Sequence, residues 1–361
     1  MNKVVLHAAD LDGYLTEQDQ KILEQVNEMY SEADTLFHRI EEGSEQEALL
    51  AQEELTPVFE NVGRFLKKVV AKEERIHVYS FETPKEQHGA ASRLVSKLRN
   101  PHTSNAEFLY YVQRAYELLF AHVYTDTVLP HKRSIVTQTP VTFPVRNYAV
   151  HKIPNVDNLI ENSVMCVMLR GALLPSMIMS KEIQEYSSDG FVTPFALFRI
   201  KRDDSKNEKN MDYILDLDRS FFDLSELHGK DLIFADPMNA TGGSLVTIVN
   251  YLLEQGIEVR SIRFITVISA LKGALRVVRA LEKAEVYTLW MDPVLNDKAY
   301  ILPGLGDAGD RLNGTDSDQN PRNMIQLMAD YGSNITNLYR SQVKAIEQRV
   351  LGENNNFFGE S

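Results

Sequence analysis

The sequence predicts an α/β fold, a doubly wound parallel sheet with a hairpin arm, extended by helices at its amino- and carboxyl-terminal ends. Three observations point to it. From about residue 160 short apolar runs alternate with amphipathic stretches, as in a parallel sheet covered by helices on both faces. One of those runs, KDLIFA, ends on an acid and is followed within a few residues by a glycine pair and a helical pattern, the strand-loop-helix order of a ligand site in open α/β sheets. Apolar residues recur near a 3.6 spacing at both ends of the chain, which places them on helical faces.

In chain order, Ile22, Val26, Met29, Leu36 or Phe37 and Ile40 form one helical stripe over residues 16 to 42. The charged break EEGSE follows. A second stripe at Val58, Val62, Phe65 and Val69 predicts a helix capped by Thr56 with Pro57 at its first position, so the amino-terminal helical arm ends near residue 72. SVMCVML (163 to 169) reads as a buried strand and ALLPSMIMSKEIQEY (172 to 186) as a helix with Pro175 in its first turn. FVTPFALFRI (191 to 200) is a second strand. It enters the charged stretch KRDDSKNEKN and returns through MDYILDLD, an exposed hairpin arm. KDLIFA (230 to 235) is the next core strand, followed by the helix SLVTIVNYLLEQ, which Gly256 closes. SIRFITVIS, ALKGALRVVRALEKA and EVYTLW add strand, helix and strand. Beyond Asp318 the composition turns polar, and Ile335, Leu338 or Tyr339, Val343, Ile346 and Val350 give one more helical stripe. The expected division is a helical extension over 1–73, a central domain over 74–316 and a carboxyl-terminal helical extension with its tail over 317–361.

The chain has 361 residues, 43% of them hydrophobic and 25% charged, the composition of a globular protein. No apolar run approaches the roughly 20 residues that span a bilayer, and the amino terminus carries acids where a secretory signal would be apolar. No membrane partner and a cytoplasmic location are expected. A formal net charge of −13 argues against nucleic acid, whose phosphates are held by clustered Lys and Arg. Cys166 is the single cysteine and lies in an apolar run, which excludes an internal disulfide and favours a buried structural thiol.

The stretch LIFADPMNATGGSLVTIV carries the chemistry. Asp236 closes the strand and can accept hydrogen bonds from ribose hydroxyls. Thr241, Gly242, Gly243 and Ser244 turn the chain so that backbone N–H groups converge where a phosphate would lie. The helix that follows adds roughly half a positive charge at its amino terminus, and glycine lets the backbone approach closely. The string has neither the lysine of a Walker loop nor the GxGxxG of a dinucleotide fold. A second string, AYILPGLGDAGDRLNGTD (299 to 316), packs four glycines and three aspartates into a short span, a tightly folded loop with its backbone facing a ligand. Its spacing fits no EF-hand.

With these two strings the sequence resembles the uracil phosphoribosyltransferase family. Asp236-Pro237-Met238-Asn239-Ala240-Thr241-Gly242-Gly243-Ser244 matches that family's DPMxATGGS loop. Tyr300-Ile301 and Pro303 through Arg311 match its base-binding segment. Leu169-Arg170-Gly171-Ala172-Leu173 stands against its LRAGL, and Leu98-Arg99, Thr103-Ser104 and Phe108 resemble an early LR, TS and F pattern. The resemblance covers about residues 74 to 316 and implies a type I phosphoribosyltransferase fold.

It also implies a reaction: uracil and 5-phosphoribosyl 1-diphosphate (PRPP) give uridine monophosphate and diphosphate in pyrimidine salvage. The loop Asp236 to Ser244, with Arg170, Arg199 and Asp307, would hold PRPP. Arg202 is a rival to Arg199, because FRIKRDD aligns on either. The Ile301 backbone with Gly306, Asp307 and Ala308 would hold the uracil edge. Asp236, Asp307 and Arg170 would act at the reacting centre, the acids beside an oxocarbenium-like sugar and the arginine beside departing diphosphate. Mg²⁺ would arrive with PRPP, with no protein ligand assigned to it. A homo-oligomer, dimer or higher, is also implied.

The match departs at Leu174 and Ala299, where the family has glycines, and at Asn313, which replaces an aromatic. The family's hairpin lysine has only Arg219 as a candidate counterpart. These departures leave two alternatives: a phosphoribosyltransferase for another base, or a catalytically silent regulator that binds PRPP or a nucleotide.

Overall fold

The computed structural model describes residues 2–125 and 132–314; the expected carboxyl-terminal helix lies outside them. Twelve strands follow in chain order: β1 Lys3–His7, β2 Ile76–Val78, β3 Lys132–Gln138, β4 Tyr148–Pro154, β5 Ser163–Leu169, β6 Phe195–Arg202, β7 Asp212–Phe221, β8 Asp231–Asn239, β9 Ser261–Ala270, β10 Ala284–Asp292, β11 Val294–Leu295 and β12 Ile301–Leu302. Eight of them form one sheet in the order β1-β7-β6-β5-β8-β9-β10-β2. The run from β6 through β5, β8, β9 and β10 to β2 is parallel, and β7 turns back antiparallel on β6. This is the predicted doubly wound sheet with its hairpin arm.

Val164 to Val167 on β5 and Leu232 to Ala235 on β8 are buried throughout, as strands covered on both faces must be. Cys166 is among them. Burial pushes its thiol well above the ordinary value, which bears out the structural reading. After β5 the chain winds to one side through β6 and β7, then crosses to the other side at β8. The carboxyl ends of β5 and β8 therefore flank a topological switch point, where open α/β sheets bind ligands.

The amino-terminal helices run over Glu17–Glu42 and Glu45–Val70. The second begins twelve residues ahead of its predicted start. Ser44 caps it, its hydroxyl accepting from the Glu47 amide while the Glu47 carboxylate accepts from the Ser44 amide, a box that stabilises a helix by about 1 kcal/mol. Pro57 thus lies inside the helix rather than at its first position, and burial of Val62, Leu66, Val69 and Val70 offsets the missing backbone bond. The buried face of the first helix is centred on Leu23, Val26, Tyr30 and Ala33, one residue round from the predicted stripe. β6 begins at Phe195, after Pro194, rather than at Phe191.

Residues 3–7, which the sequence reading leaves without an element, pair antiparallel with β7 and close that edge of the sheet. Three buried or half-buried ion pairs then fasten the arm to the sheet domain. Arg276, fully buried, donates to Asp12 at 2.6 Å and lies 2.9 Å from Glu208 of the hairpin arm. Arg279 donates to Asp19 at 2.9 Å and to Glu73. Burial drives the Asp19 carboxyl up, but the Arg279 guanidinium and the Thr16 cap outweigh it and hold it below the usual carboxylate range. Its contribution to stability is therefore complete above about pH 4 and is lost as the pH falls through that depressed value. Asp19→Asn is expected to cost about 3 kcal/mol at neutral pH, read as a lower urea midpoint, with the gap to the parent narrowing in acid.

β3 and β4 form a separate two-stranded hairpin that the sequence reading did not assign. Val136 and Val150 pair across it, and both are exposed, as are Val141, Phe143, Val145 and Tyr148. No helix among the described residues is long and apolar enough to cross a membrane.

Candidate active site

The switch point opens into a cavity of about 290 Å³. One wall is the whole turn from Asp236 to Leu245 apart from Pro237. The opposite walls are Met168, Leu169 and Gly171 after β5, Ile200 to Arg202 and Asp204 on the hairpin arm, and Asp307.

The turn is shaped by contacts that only glycine satisfies. Gly242 has φ +76°, and a Cβ there would lie 2.8 Å from Val277 Cγ2 and 2.9 Å from the Gly273 carbonyl oxygen. A Cβ on Gly243 would lie 2.3 Å from the ring of Tyr213, a fully buried side chain on β7. Thr241 Oγ1 accepts from the Gly243 amide at 3.4 Å, and the helix Gly243–Glu254 starts there, its free N–H groups opening toward the cavity. Asn239 donates through Nδ2 to Ser269 Oγ at 3.0 Å, while its Oδ1 is buried without a partner among the described residues.

Asp236 sits at the floor of this cavity, accepting from the Met238 amide at 3.0 Å. Burial raises its carboxyl to about 7, against the pull of the Met238 amide and the Arg202 charge and with a further push from Asp307. Its charged form is thus expensive at this position and is favoured by an incoming cation or a ring of hydroxyl donors.

Of the candidate cations, Arg202 lines the cavity and Arg199 does not. Alternation along β6 puts Arg199 on the face opposite Ile200 and Arg202. Arg202 donates to the Ala299 carbonyl at 3.3 Å and lies over the Tyr300 ring at 5.8 Å, so it connects the hairpin arm to the second glycine-rich string. Arg170 stands just before Gly171, with its guanidinium donating to Asp310 Oδ1 at 3.3 Å and the Gly314 carbonyl at 3.2 Å. Arg219 is exposed and lies 3.9 Å from Asp216, away from the cavity. Leu174 is buried in the core, so its bulk does not reach the ligand space. Ala299 is buried with φ +62°, a left-handed position that an L residue occupies at a cost of about 1 kcal/mol.

Ile301, on β12, pairs with Leu295 on β11. Gly304 and Gly306 both take positive φ, and Asp307 caps the short helix Ala308–Asn313 by accepting from the Asp310 amide at 2.9 Å. Only Asp307 of the expected base-binding set borders the cavity itself; a Cβ on Gly171 would lie 3.7 Å from Gly309 Cα, so the two loops abut. The early motif residues anchor this loop. Arg99 donates to Asp292 at 2.5 Å, and the other Asp292 oxygen accepts from the Gly304 amide at 2.9 Å. Arg311 donates to the carbonyls of Leu98, Leu305 and Asn100 and lies 4.0 Å over Phe108, while Ser104 caps the helix Asn105–Phe120. Asp292 escaped the sequence reading, although it closes the apolar strand β10, whereas Asp236, expected to close its strand, lies within β8, which runs on to Asn239.

The description "Uracil phosphoribosyltransferase" matches residues 85–315 of the chain. The chain belongs to the uracil phosphoribosyltransferase family. A uracil phosphoribosyltransferase of Bacillus pumilus is 30% identical over 238 residues, which is 66% of this chain and 98% of that protein. One of Geobacillus sp. is 45% identical over 91 residues, 25% of this chain and 43% of that protein, so in this second alignment the chain spans less than half of its relative. Among solved structures, the AQ2163 protein of Aquifex aeolicus is 24% identical with a TM-score of 0.45, over 63% of this chain and 96% of that one. The family match starts at residue 85, leaving the arm that carries β1 and both long helices outside it.

Proposed function

We propose that the chain is a pentosyltransferase that joins uracil to the ribose 5-phosphate of PRPP, releasing diphosphate and uridine monophosphate. One observation carries this reading: the cavity at the β5–β8 switch point gathers the turn Asn239 to Ser244, Asp236, Arg202 and Asp307 around a single space. The turn's amides and the Thr241 and Ser244 hydroxyls would take the 5-phosphate. Asp236 and Asp307 would steady the sugar as positive charge builds at its anomeric carbon, where the bond to diphosphate breaks and the bond to the uracil nitrogen forms. Arg202 is the better placed partner for PRPP than Arg199, and Arg170 would meet the diphosphate at the rim. The backbone of Ile301 and of Gly306 to Ala308 would read the base.

Among the described residues no three acids come together closely enough to hold a metal ion, so Asp204, Asp236 and Asp307 are not a ligand set and Mg²⁺ would be held by the diphosphate that brings it. A Mg²⁺ ion carried by the diphosphate would neutralise its charge there. The exposed apolar row on the β3–β4 hairpin supports assembly into a homo-oligomer, since such a row is covered in most soluble proteins. A cytoplasmic setting suits a polyanionic substrate that does not cross a bilayer unaided.

The test is formation of uridine monophosphate from labelled uracil with PRPP and Mg²⁺, alongside other free bases. Uracil is expected to be the preferred acceptor, and equal or better use of another base would overturn the substrate. In the same assay Arg202→Ala is expected to raise the KM for PRPP roughly tenfold or more, with Arg199→Ala having the smaller effect. The reverse order would return the role to Arg199.

A further inference from the structure

A second cavity, of about 740 Å³, lies away from the phosphate turn, between the arm helix Glu45–Val70 and the segment around Phe81 and Trp290. Its size falls in the range of small-molecule sites. Three aromatic residues line it: Phe59 from the arm, Phe81 from the turn after β2, and Trp290 near the end of β10. Arg64, Lys67 and Lys85 line it with a single carboxylate, Glu60, all four exposed, so its border is net cationic in a chain whose formal net charge is −13.

Two features mark this space as more than a packing gap. Ser80 lines it and is 5% exposed, yet its hydroxyl oxygen is buried without a hydrogen-bond partner among the described residues, a state that costs free energy unless something supplies the bond. Gly63 lines it from within the helix Glu45–Val70, where glycine is about 1 kcal/mol worse than alanine. A Cβ there would meet nothing within 4 Å, so no neighbour demands the glycine and its effect is to leave the cavity open.

We propose that this cavity is a second binding site, for a planar aromatic molecule carrying an anionic group. The ring would lie among Phe59, Phe81 and Trp290, a polar ring atom would meet Ser80 Oγ once that hydroxyl rotates into the space, and the anion would face Lys67 and Lys85. A phosphate and a carboxylate satisfy that border equally. The site uses no residue of the phosphate turn, so it stands whether or not the chain makes uridine monophosphate.

Trp290 is the single tryptophan of the chain, so intrinsic emission reports this cavity directly. The full chain would be titrated with 1-naphthyl phosphate, 1-naphthoate and uncharged 1-naphthol, following Trp290 emission and calorimetric heat together. Saturable binding is expected for one or both anions, at least tenfold tighter than for 1-naphthol, and whichever anion binds better names the source. Gly63→Phe, which fills the cavity from a helical position with free space, is expected to abolish the emission change while leaving the thermal unfolding midpoint intact. Lys67→Ala with Lys85→Ala is expected to remove the advantage of the anions. Binding that leaves Trp290 unchanged, or that persists in Gly63→Phe, would overturn the site. Binding of 1-naphthol as tight as the anions would overturn its charge preference.

Discussion

Replacing Asp236 with asparagine is expected to lower kcat/KM for PRPP on the order of 100- to 1,000-fold while leaving the fold in place. The carboxylate shares the cavity with Asp204 and Asp307, and the amide preserves its volume and can still accept from the Met238 amide. What disappears is the negative charge that we propose balances the sugar as its bond to diphosphate breaks. The pH profile carries a separate signature. With the Asp236 carboxyl raised to about 7, kcat/KM for the parent should climb through that pH as the group ionises, because this ratio reports the free enzyme. The variant should lack that limb. Stability moves in the opposite sense. A raised carboxyl keeps a proton in the folded chain that the unfolded chain gives up, so the ligand-free protein loses this contribution as the pH rises from about 4 through 7. Asp236→Asn should flatten that slope. A variant with parental kcat/KM, measured by diphosphate release, would remove Asp236 from the reaction.

Gly243→Ala is expected to be nearly as damaging, through geometry alone. The added methyl carbon would stand 2.3 to 2.4 Å from three atoms of the Tyr213 ring. That ring is fully buried under the hairpin arm and has no room to step aside, so the turn or β7 must shift. A displacement near 1 Å at a phosphate-holding turn costs about 100-fold in turnover or affinity, and the effect should fall on PRPP before uracil. Gly273→Ala offers a control from outside the cavity. Alanine is normally the better helix former, but here its Cβ would lie 2.5 Å from the Ala240 carbonyl oxygen. The two changes should share a PRPP defect, measured as the ratio of KM values for PRPP and uracil. A loss that falls equally on both substrates would instead indicate general unfolding.

Much of this architecture was legible because it follows from local pattern. Buried strands such as β5 and β8 are continuous apolar runs, and the turn between Asp236 and Ser244 declares itself by an acid, two glycines and a helix start. The two strings that carried the family resemblance both border the same junction of loops. Other features depended on contacts between distant parts of the chain. FRIKRDD contains two arginines within four residues, and only the side of β6 on which each lies separates them. Pro57 looked like a helix start because proline favours that position, yet the capping box at Ser44 and the burial of the residues beyond it carried the helix through. β1 is five residues long and half exposed, with too little alternation to announce a strand before its partner on β7 is known. Asp292 gains its role from Arg99 and Gly304, which approach it from far along the chain in one direction and from a nearby loop in the other.

The pairing of β1 with β7 and the contact of Asp12 with Arg276 bear on how this chain can be divided. Arg276 also reaches toward the Thr241 carbonyl at 3.5 Å, so the first dozen residues are joined through one buried guanidinium to the turn that would hold phosphate. A polypeptide begun at residue 74 would retain every residue of the two motifs. It would also bare the backbone edge of β7, inviting strand-to-strand association, and would leave a buried cation with one carboxylate fewer. The segment that matches the family is therefore not a portable module in this protein. The arm completes the sheet edge and reaches the turn at Thr241 through Arg276, and any shortened or spliced version should be judged first by whether it keeps residues 2 to 12.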